Sequence, residues 1–412
     1  MNLRCFVLLI SSFAVSIVSF SQSRDLNYYL SKGIQNSPLL NDYTNQLQEQ
    51  KIDSLLVLAG RKITVSGTGE ILIAPIINEI GYDEAITNEG QYTATIGVSK
   101  TFFQHGSTAA QINQGKIRSD SILTTKLVSQ RELEKSITDQ YLSSYHALSQ
   151  IQFEEQNVAA LENQLGLLEP LVRSGIYLQT DYLTLQLKIQ TEKIHLQQLK
   201  DDYRSNLYTL NALCGIADTS TLEITKPELT WKTTQYDVNP NLNLFSLDSS
   251  AAEATKNVLR YNYVPKVSVF GDAGYNAIPA DFSVKKFGFS GGVAVGWNFA
   301  DGNQKNLRIQ QLSIRQKTSS FYRKNYSLQL QLQLADLDKK FQNIGSVITQ
   351  LQSQLTQMNT LLSLRRQQLL SGQLSIIDYL SLIRDYHDLQ INLSETLFTQ
   401  QQIINQHNYL VW

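Results

Sequence analysis

The 412-residue sequence is poor in proline and cysteine and has no excess of basic charge. Proline occurs 7 times, and none follows Pro279, which leaves a long C-terminal stretch free of helix-breaking residues. The formal net charge of -1 argues against nucleic acid as a partner, because such binding needs a basic surface. Beyond the N-terminus no apolar run is long enough for a transmembrane helix, so any membrane-embedded part would have to be a barrel.

The first 23 residues have the pattern of a secretory signal peptide. Arg4 supplies the positive start, Cys5 to Phe20 form an apolar segment, and small serines at 19 and 21 favour cleavage before Gln22. The alternative is a single membrane-spanning helix. Signal-peptide removal over 1–21 would take Cys5 away and leave Cys214, so no intramolecular disulfide can form. Cys214 follows an apolar helical run, which is typical of a buried structural thiol.

The sequence also lacks the motifs of the common catalytic and cofactor sites. No phosphate-binding loop, dinucleotide fingerprint or nucleophile elbow occurs. The five histidines do not stand at metal-ligand spacing from cysteine or acidic residues. We therefore predict that the protein is not an enzyme and that it uses no cofactor and no metal.

A heptad seam in the second half predicts a very long helix over 303–370. Its spacings alternate between four and three, as in a left-handed coiled coil, and the helix would be roughly 100 Å long. A less regular seam predicts a similar helix over 105–172, which Pro170 should end or kink. The seam residues of the helix over 303–370 are Leu330, Leu334, Leu337, Phe341, Ile344, Ile348, Leu351, Leu355, Met358 and Leu362. Shorter helices are predicted over 25–60, 179–214, 241–260 and 376–408.

Two segments after the long helices match each other closely. SGIYLQTDYLTL at 174–185 and SGQLSIIDYLSL at 371–382 both start with Ser-Gly, and Asp-Tyr-Leu follows at the same distance. Glycine accepts the positive φ that ends many helices, so each Ser-Gly pair predicts a turn between two helices.

The strand-like segments repeat as well. KITVSG at 62–67 matches KVSVFG at 266–271, so the order of short helix, two strands, long helix, turn and short helix occurs twice. This duplication predicts the organisation of the chain. Its parts are a signal peptide (1–21), a first repeat (22–214), a linker (215–238) and a second repeat (239–412).

Four predicted strands have one apolar face and one small or polar face. The alternation is clear over 92–102 and 287–299, and each strand has the length that crosses a bilayer. Aromatic residues at the strand ends favour a girdle at the membrane interface, although a soluble hairpin would show the same alternation. The girdle residues are Phe102, Phe103, Trp297 and Phe299. Because four strands cannot close a barrel and open edges are not tolerated in lipid, several chains would share one barrel, and a trimer would supply twelve strands.

The order and spacing of these features resemble the TolC-type outer-membrane efflux proteins. The resemblance extends over the whole mature chain and depends most on VRSGIYLQTDYLTLQLKIQ and LLSGQLSIIDYLSLIRDYH, with Asn-Pro at 239–240 opening the second half. It implies a mainly α fold with β strands. In the homotrimer a duplicated long-helix α-barrel continues into a transmembrane β-barrel with four strands from each chain.

The resemblance also implies a location, partners and a gate. The channel-tunnel would lie in the outer membrane, among its lipids, and extend into the periplasm, with 215–238 and the C-terminal end in a belt around its middle. As the passive exit duct of a tripartite efflux or type I secretion system it would meet a periplasmic adaptor protein and, directly or through the adaptor, an inner-membrane pump. The adaptor would contact the tip turns at Ser174, Gly175, Ser371 and Gly372. The constriction would involve Asp378, Ser381 and Asp181, where Ser381 occupies a position at which the family places a second acid.

From the residues alone, each aspartate has a simpler interpretation. Asp181 and Asp378 lie near a helix start, where the macrodipole favours a negative charge. A second hypothesis for the whole chain is a secreted coiled-coil scaffold or adhesin without a pore. Such a scaffold has no need of four two-sided strands that are long enough to cross a bilayer.

Overall fold

The structure, a computed structural model, consists mainly of helices with one four-stranded sheet. The predicted signal peptide over 1–21 lies outside the described residues, as do residues 234–238 of the predicted linker. The described residues are 24–75, 77–81, 89–103, 106–233, 239–277 and 284–411. In chain order the elements are α1 (Leu26–Asn36), α2 (Pro38–Ala59), β1 (Thr64–Ala74), β2 (Glu89–Phe103), α3 (Ser107–Arg173), α4 (Gln179–Leu213), α5 (Pro240–Tyr261), β3 (Lys266–Ala277), a short 3₁₀ helix (Val284–Lys286), β4 (Phe287–Gly296), α6 (Gln304–Leu370) and α7 (Ile376–Leu410).

The two long helices are confirmed, and α3 and α6 each have 67 residues. The predicted helix over 25–60 is two helices, because Ser37 caps a new helix that begins at Pro38. The Ser37 hydroxyl oxygen accepts a hydrogen bond from the Leu40 N–H at 3.4 Å, and proline is favoured at the first helical position. Among the helices that the structure describes, none combines the length and hydropathy of a membrane crossing.

Pro170 lies inside α3 and does not end it, but the predicted helix end just before the Ser-Gly turn is confirmed to within one residue. The helix runs to Arg173, and the Pro170 carbonyl accepts from the Ser174 N–H at 3.0 Å. Proline removes a single backbone hydrogen bond near the helix end. Leu168, which is almost fully buried, keeps this last stretch packed against the neighbouring helices.

The chain forms two compact units, each of which combines pieces of both predicted repeats. The hairpin unit comprises the described residues of 24–32 with Gln140–Glu228 and Met358–Ser394. The sheet unit comprises the described residues of Gly33–Asp139, Leu229–Gln357 and Glu395–Trp412. The predicted boundaries at 214, 215–238 and 239 follow the sequence repeat and stay a prediction.

The hairpin unit has one core, to which both Ser-Gly segments contribute. Leucine side chains of α3 and α6 pack with apolar side chains of α4 and α7, so the two turns share a single hydrophobic cluster. Burial of this kind stabilises by about 25 cal/mol per Å² of apolar surface. The buried members of the cluster are Leu161, Leu168, Tyr177, Leu185, Ile189, Leu369, Ile376 and Tyr379.

The sheet unit contains an antiparallel sheet in the order β1-β2-β3-β4. β1 continues to Ala74, beyond the matched segment at 62–67, and β4 stops at Gly296, short of the predicted 299. Phe102 is the extra residue of a β-bulge, since Thr101 pairs with Ser268 and Phe103 with Val267. β1 and β4 each have one unpaired edge among the described strands.

Helix α6 carries two apolar stripes with different surroundings. All ten residues of the predicted seam are buried or half-buried, and Leu330, Leu334 and Leu337 pack with the end of α7. A second stripe in its first half is exposed, although its spacing is a strict seven residues. It consists of Leu307, Ile314, Phe321 and Leu328. Because heptad spacing suits helix packing, this stripe matches the surface that a further helix requires.

Candidate functional site

The first Ser-Gly turn ends α3 with a left-handed glycine. Gly175 has φ 76°, and its N–H donates to the Val172 carbonyl at 3.0 Å. The Ile176 N–H donates to the Leu171 carbonyl at 2.9 Å, which completes a Schellman motif. The Ser174 hydroxyl donates to the same Leu171 carbonyl at 3.0 Å.

The second turn repeats this geometry at the end of α6. Gly372 has φ 70°, and its N–H donates to the Leu369 carbonyl at 3.0 Å. Gln373 and Ser371 both donate to the Gln368 carbonyl, at 2.9 and 3.0 Å. The predicted positive φ of the two turn glycines is confirmed, whereas their contact with an adaptor stays a prediction.

The two turns contact each other directly. The Tyr177 hydroxyl, just after the first turn, donates to the carbonyl oxygens of Leu369 and Leu374 on either side of the second turn, each 2.7 Å away. A Cβ placed on Gly372 would lie 2.8 Å from Cγ2 of Ile176. The two duplicated segments are therefore in direct contact at their turns.

The aspartates at matching positions have different surroundings. In the first copy the residue before α4 is Leu178, which has no side-chain acceptor, and its N–H donates to Asp181 Oδ2 at 3.0 Å. In the second copy the matching residue is Ser375, whose hydroxyl oxygen accepts from the Ile377 N–H at 3.2 Å. The Ser375 hydroxyl therefore caps a different N–H from the one that Asp181 accepts in the first copy.

Asp378 is exposed, and within the part of the chain that the structure describes it makes no hydrogen bond or ion pair. Asp181 and Ser381 are half-buried. The Ser381 hydroxyl oxygen accepts a hydrogen bond from the Arg384 guanidinium at 3.3 Å. A cation therefore lies beside Ser381, the position at which the resemblance implies a second acid.

Residues 229–233, the described part of the predicted linker that belongs to the sheet unit, lie against the C-terminal helix. Trp231 stacks on His407 with ring centroids 3.6 Å apart, and Lys232 N–H donates to Asn408 Oδ1 at 3.0 Å. His407 is fully buried, and this burial lowers the pKa of its imidazole. In the hairpin unit, burial raises the pKa of Cys214 to about 11, which fits the predicted structural thiol. Among the described residues, no group of three histidines, cysteines or acids could hold a metal ion.

The sheet has the two faces that the sequence predicts. The register puts Val65, Val98 and Val293 on one face with most of the apolar residues. Thr64, Ser99 and Ser290 lie on the opposite face, which also carries Leu72 and Phe270. Of the predicted girdle residues, Phe102, Trp297 and Phe299 are exposed, and the last two rings are 4.4 Å apart. Only the backbone of Phe103 is described, so its place in the girdle stays a prediction.

A second aromatic row occurs at the other end of the same face and was missed in the sequence. Tyr275 pairs directly with Phe287, and Phe289 on the same face is 91% exposed. Tyr92 also lies at this end of the face. From Tyr92 to Phe102 the strand rises roughly 33 Å, or about 25 Å across a bilayer at the usual strand tilt, which matches the apolar band of outer-membrane barrels.

Comparisons with known proteins agree with this geometry. Residues 79–216, about a third of the chain, match the family model of outer membrane efflux proteins. The structure of the outer membrane protein VceC from Vibrio cholerae matches with a TM-score of 0.75 at 15% identity, covering 93% of this chain and 95% of that one. The chain is TolC-type in fold. CusC, whose structures describe transmembrane channel formation, matches with a TM-score of 0.76 at 14% identity over 94% and 92% of the two chains.

The TolC-type fold extends to a third relative. The CmeC outer membrane channel of Campylobacter jejuni matches with a TM-score of 0.74 at 8% identity, covering 93% of this chain and 85% of that one. A comparison with curated protein sequences finds no match. The predicted resemblance and the predicted fold class are confirmed. The matched family and these structural relatives are outer membrane proteins and channels, as the resemblance implies.

Proposed function

We propose that three copies of this chain form a passive export duct in the outer membrane, the exit component of a tripartite efflux or type I secretion system. The observation that carries the proposal is the apolar face of the sheet. Aromatic residues bound it at both ends, and their separation of about 25 Å fits a bilayer. Transport through such a tube requires no catalysis and no cofactor.

Two features support assembly from several copies. The outer strands β1 and β4 each keep an unpaired edge, and lipid does not tolerate an open sheet edge. The exposed heptad stripe that begins at Leu307 needs a second helix. A trimer meets both needs, because it closes twelve strands into a barrel and adds a neighbouring helix beside each α6.

In this trimer the hairpin unit carries the gate. Asp378 would line the constriction with Ser381, and three carboxylates rather than six would converge on the axis. Like charges that approach each other repel, so other contacts must hold a closed state. Asp181, which is occupied as a helix cap, would hold its hairpin in shape rather than line the pore.

The two turns are the proposed contact for a periplasmic adaptor, which would connect the duct to an inner-membrane pump. Ser174, Gly175, Ser371 and Gly372 form the ends of the hairpins. Ile176, Leu178 and Ile377 next to them are exposed apolar side chains of the kind that protein partners cover.

Fractionation and single-channel recording test the proposal together. We expect a heat-modifiable, trimer-sized band in the outer membrane, and channels from the purified protein in planar bilayers. Asp378→Ala should change conductance and weaken cation preference, whereas Asp181→Ala, the matched control, should leave cation preference as it is. A soluble periplasmic product without channels would instead support the scaffold hypothesis, and an unchanged Asp378→Ala channel would remove Asp378 from the gate.

A further inference from the structure

Lys100 is the one charged residue on the apolar face among the described strand residues. Lys100 is the next residue after Val98 on this face. It pairs across strands with Val269, which in turn pairs with Val293. The lysine is half-buried, and its ammonium lies 5.1 Å from the centroid of the Phe102 ring. A lysine in such a place extends its apolar stem along the surface and brings its ammonium to the edge of the apolar layer.

The strand segments at the end of the sheet next to the helices carry cations and no acid, and Asp301, which follows β4 in the chain, accepts a hydrogen bond from the Tyr263 hydroxyl. The sequence ranges 60–69, 91–103, 264–271 and 287–300 contain no Asp or Glu. They contain four cations, Arg61, Lys62, Lys100 and Lys266. Arg61 and Lys62 are exposed and directly precede the first strand, whose first residue, Thr64, pairs with Ser99. The register therefore brings Arg61 and Lys62 to the same end of the sheet as Lys100.

No described carboxylate forms an ion pair with Lys100, so its charge has no counterion within the described chain. An ammonium beside an aromatic ring, at the border of an apolar face, matches the depth at which phospholipid headgroups lie. Juxtamembrane cations attract anionic lipids, and the attraction decays within a Debye length of the surface.

We propose that Lys100, reinforced by Arg61 and Lys62, binds the phosphate of anionic phospholipids in the leaflet that faces the periplasm. This inference rests on the proposed function, because it requires the apolar face to lie in a bilayer with the helices on the periplasmic side. The site would select phosphatidylglycerol over zwitterionic phosphatidylcholine, and it would fix the depth of the sheet in the membrane.

The test uses the full-length protein reconstituted into bilayers of mixed composition. Quenching of tryptophan fluorescence by phospholipids with brominated chains gives the relative affinity for phosphatidylglycerol and phosphatidylcholine. We expect Lys100→Gln to weaken the preference for phosphatidylglycerol about fivefold, the effect of one juxtamembrane charge, while Lys100→Arg retains it. Lys324→Gln is the matched control, since this exposed lysine stands twenty residues into α6, about 30 Å along the helix.

The outcomes separate the site from the proposed function. Insertion with the same lipid preference in wild type and Lys100→Gln would overturn the site and leave the duct intact. Loss of the preference with 10-fold excess inorganic phosphate over lipid, but not with chloride at the same ionic strength, would assign the cations to a free anion and overturn the lipid site too. A wild-type protein that does not insert would contradict the proposed function, and the lipid site would fall with it.

Discussion

The two Ser-Gly hairpins have the same turn and use their aspartates in opposite ways. Both glycines have positive φ and both turns close with the same pair of backbone hydrogen bonds. Asp181 is bound to a backbone N–H, whereas Asp378 is exposed beside a helix start that Ser375 already caps. A duplicated motif thus preserves the backbone of a turn, while the matching acid accepts a backbone hydrogen bond in the first copy and none among the described residues in the second.

The largest expected difference in stability between the two copies results from substitution of their turn glycines. Alanine at either position costs about 1–2 kcal/mol, because L-residues disfavour the left-handed region. Gly372→Ala should cost about 1–3 kcal/mol more than Gly175→Ala, since its Cβ meets Ile176 whereas the space at Gly175 is open. Hydrogen-exchange protection of the two hairpins, measured peptide by peptide, checks this order.

A double variant isolates the contact from the backbone strain. Ile176→Ala combined with Gly372→Ala should relieve the clash and return the cost toward that of Gly175→Ala. Equal losses of protection in the two single glycine variants would show that the turns do not press on each other.

A smaller loss of stability is expected when the hydrogen bonds from the first copy to the second turn are removed. Tyr177→Phe removes the hydroxyl that binds the Leu369 and Leu374 carbonyls and should destabilise the second turn by about 1–2 kcal/mol. Faster exchange of the amides around 369–376 is the measurement. Tyr182→Phe is the control, because no hydrogen bond involves its hydroxyl among the described residues, and an equal effect there would contradict the bridge.

The smallest expected effect separates the two aspartates. Asp181→Ala removes a cap and should lower the stability of its hairpin by about 0.5–1 kcal/mol, whereas Asp378→Ala should change it by no more than a few tenths. Thermal unfolding of the detergent-solubilised protein together with hydrogen exchange compares the pair. If Asp378→Ala destabilises its hairpin as much as Asp181→Ala, the two acids have the same structural role after all.

Periodic features were predictable from the sequence, and long-range ones were not. The heptad seam from Leu330 to Leu362, the two-sided strands and the turn glycines follow from local spacing, which backbone geometry dictates. For β1 the sequence repeat marked only 62–67, and Gly67, Gly69 and the run Ile71-Leu72-Ile73 obscure the alternation beyond it. The bulge at Phe102 depends on a partner strand more than 160 residues away in the chain, so no local pattern announces it.

In the candidate site, too, local features were predictable from the sequence and long-range contacts were not. The positions of Ser174, Gly175, Ser371 and Gly372 at helix ends could be read from residue types. The bridge from Tyr177 to the second turn spans 192 residues of sequence to Leu369 and appears only in three dimensions. The second aromatic row, with Tyr275 opposite Phe287, required the strand register.

The unpaired edges of β1 and β4 have a genetic consequence. In the proposed trimer each copy supplies one third of a closed ring, so a subunit that cannot pair at one edge spoils the ring for its two neighbours. Expressed in equal amounts with the normal chain, such a subunit would leave only about one in eight trimers free of it, if subunits mix at random. Edge mutations in this protein should therefore be dominant rather than recessive.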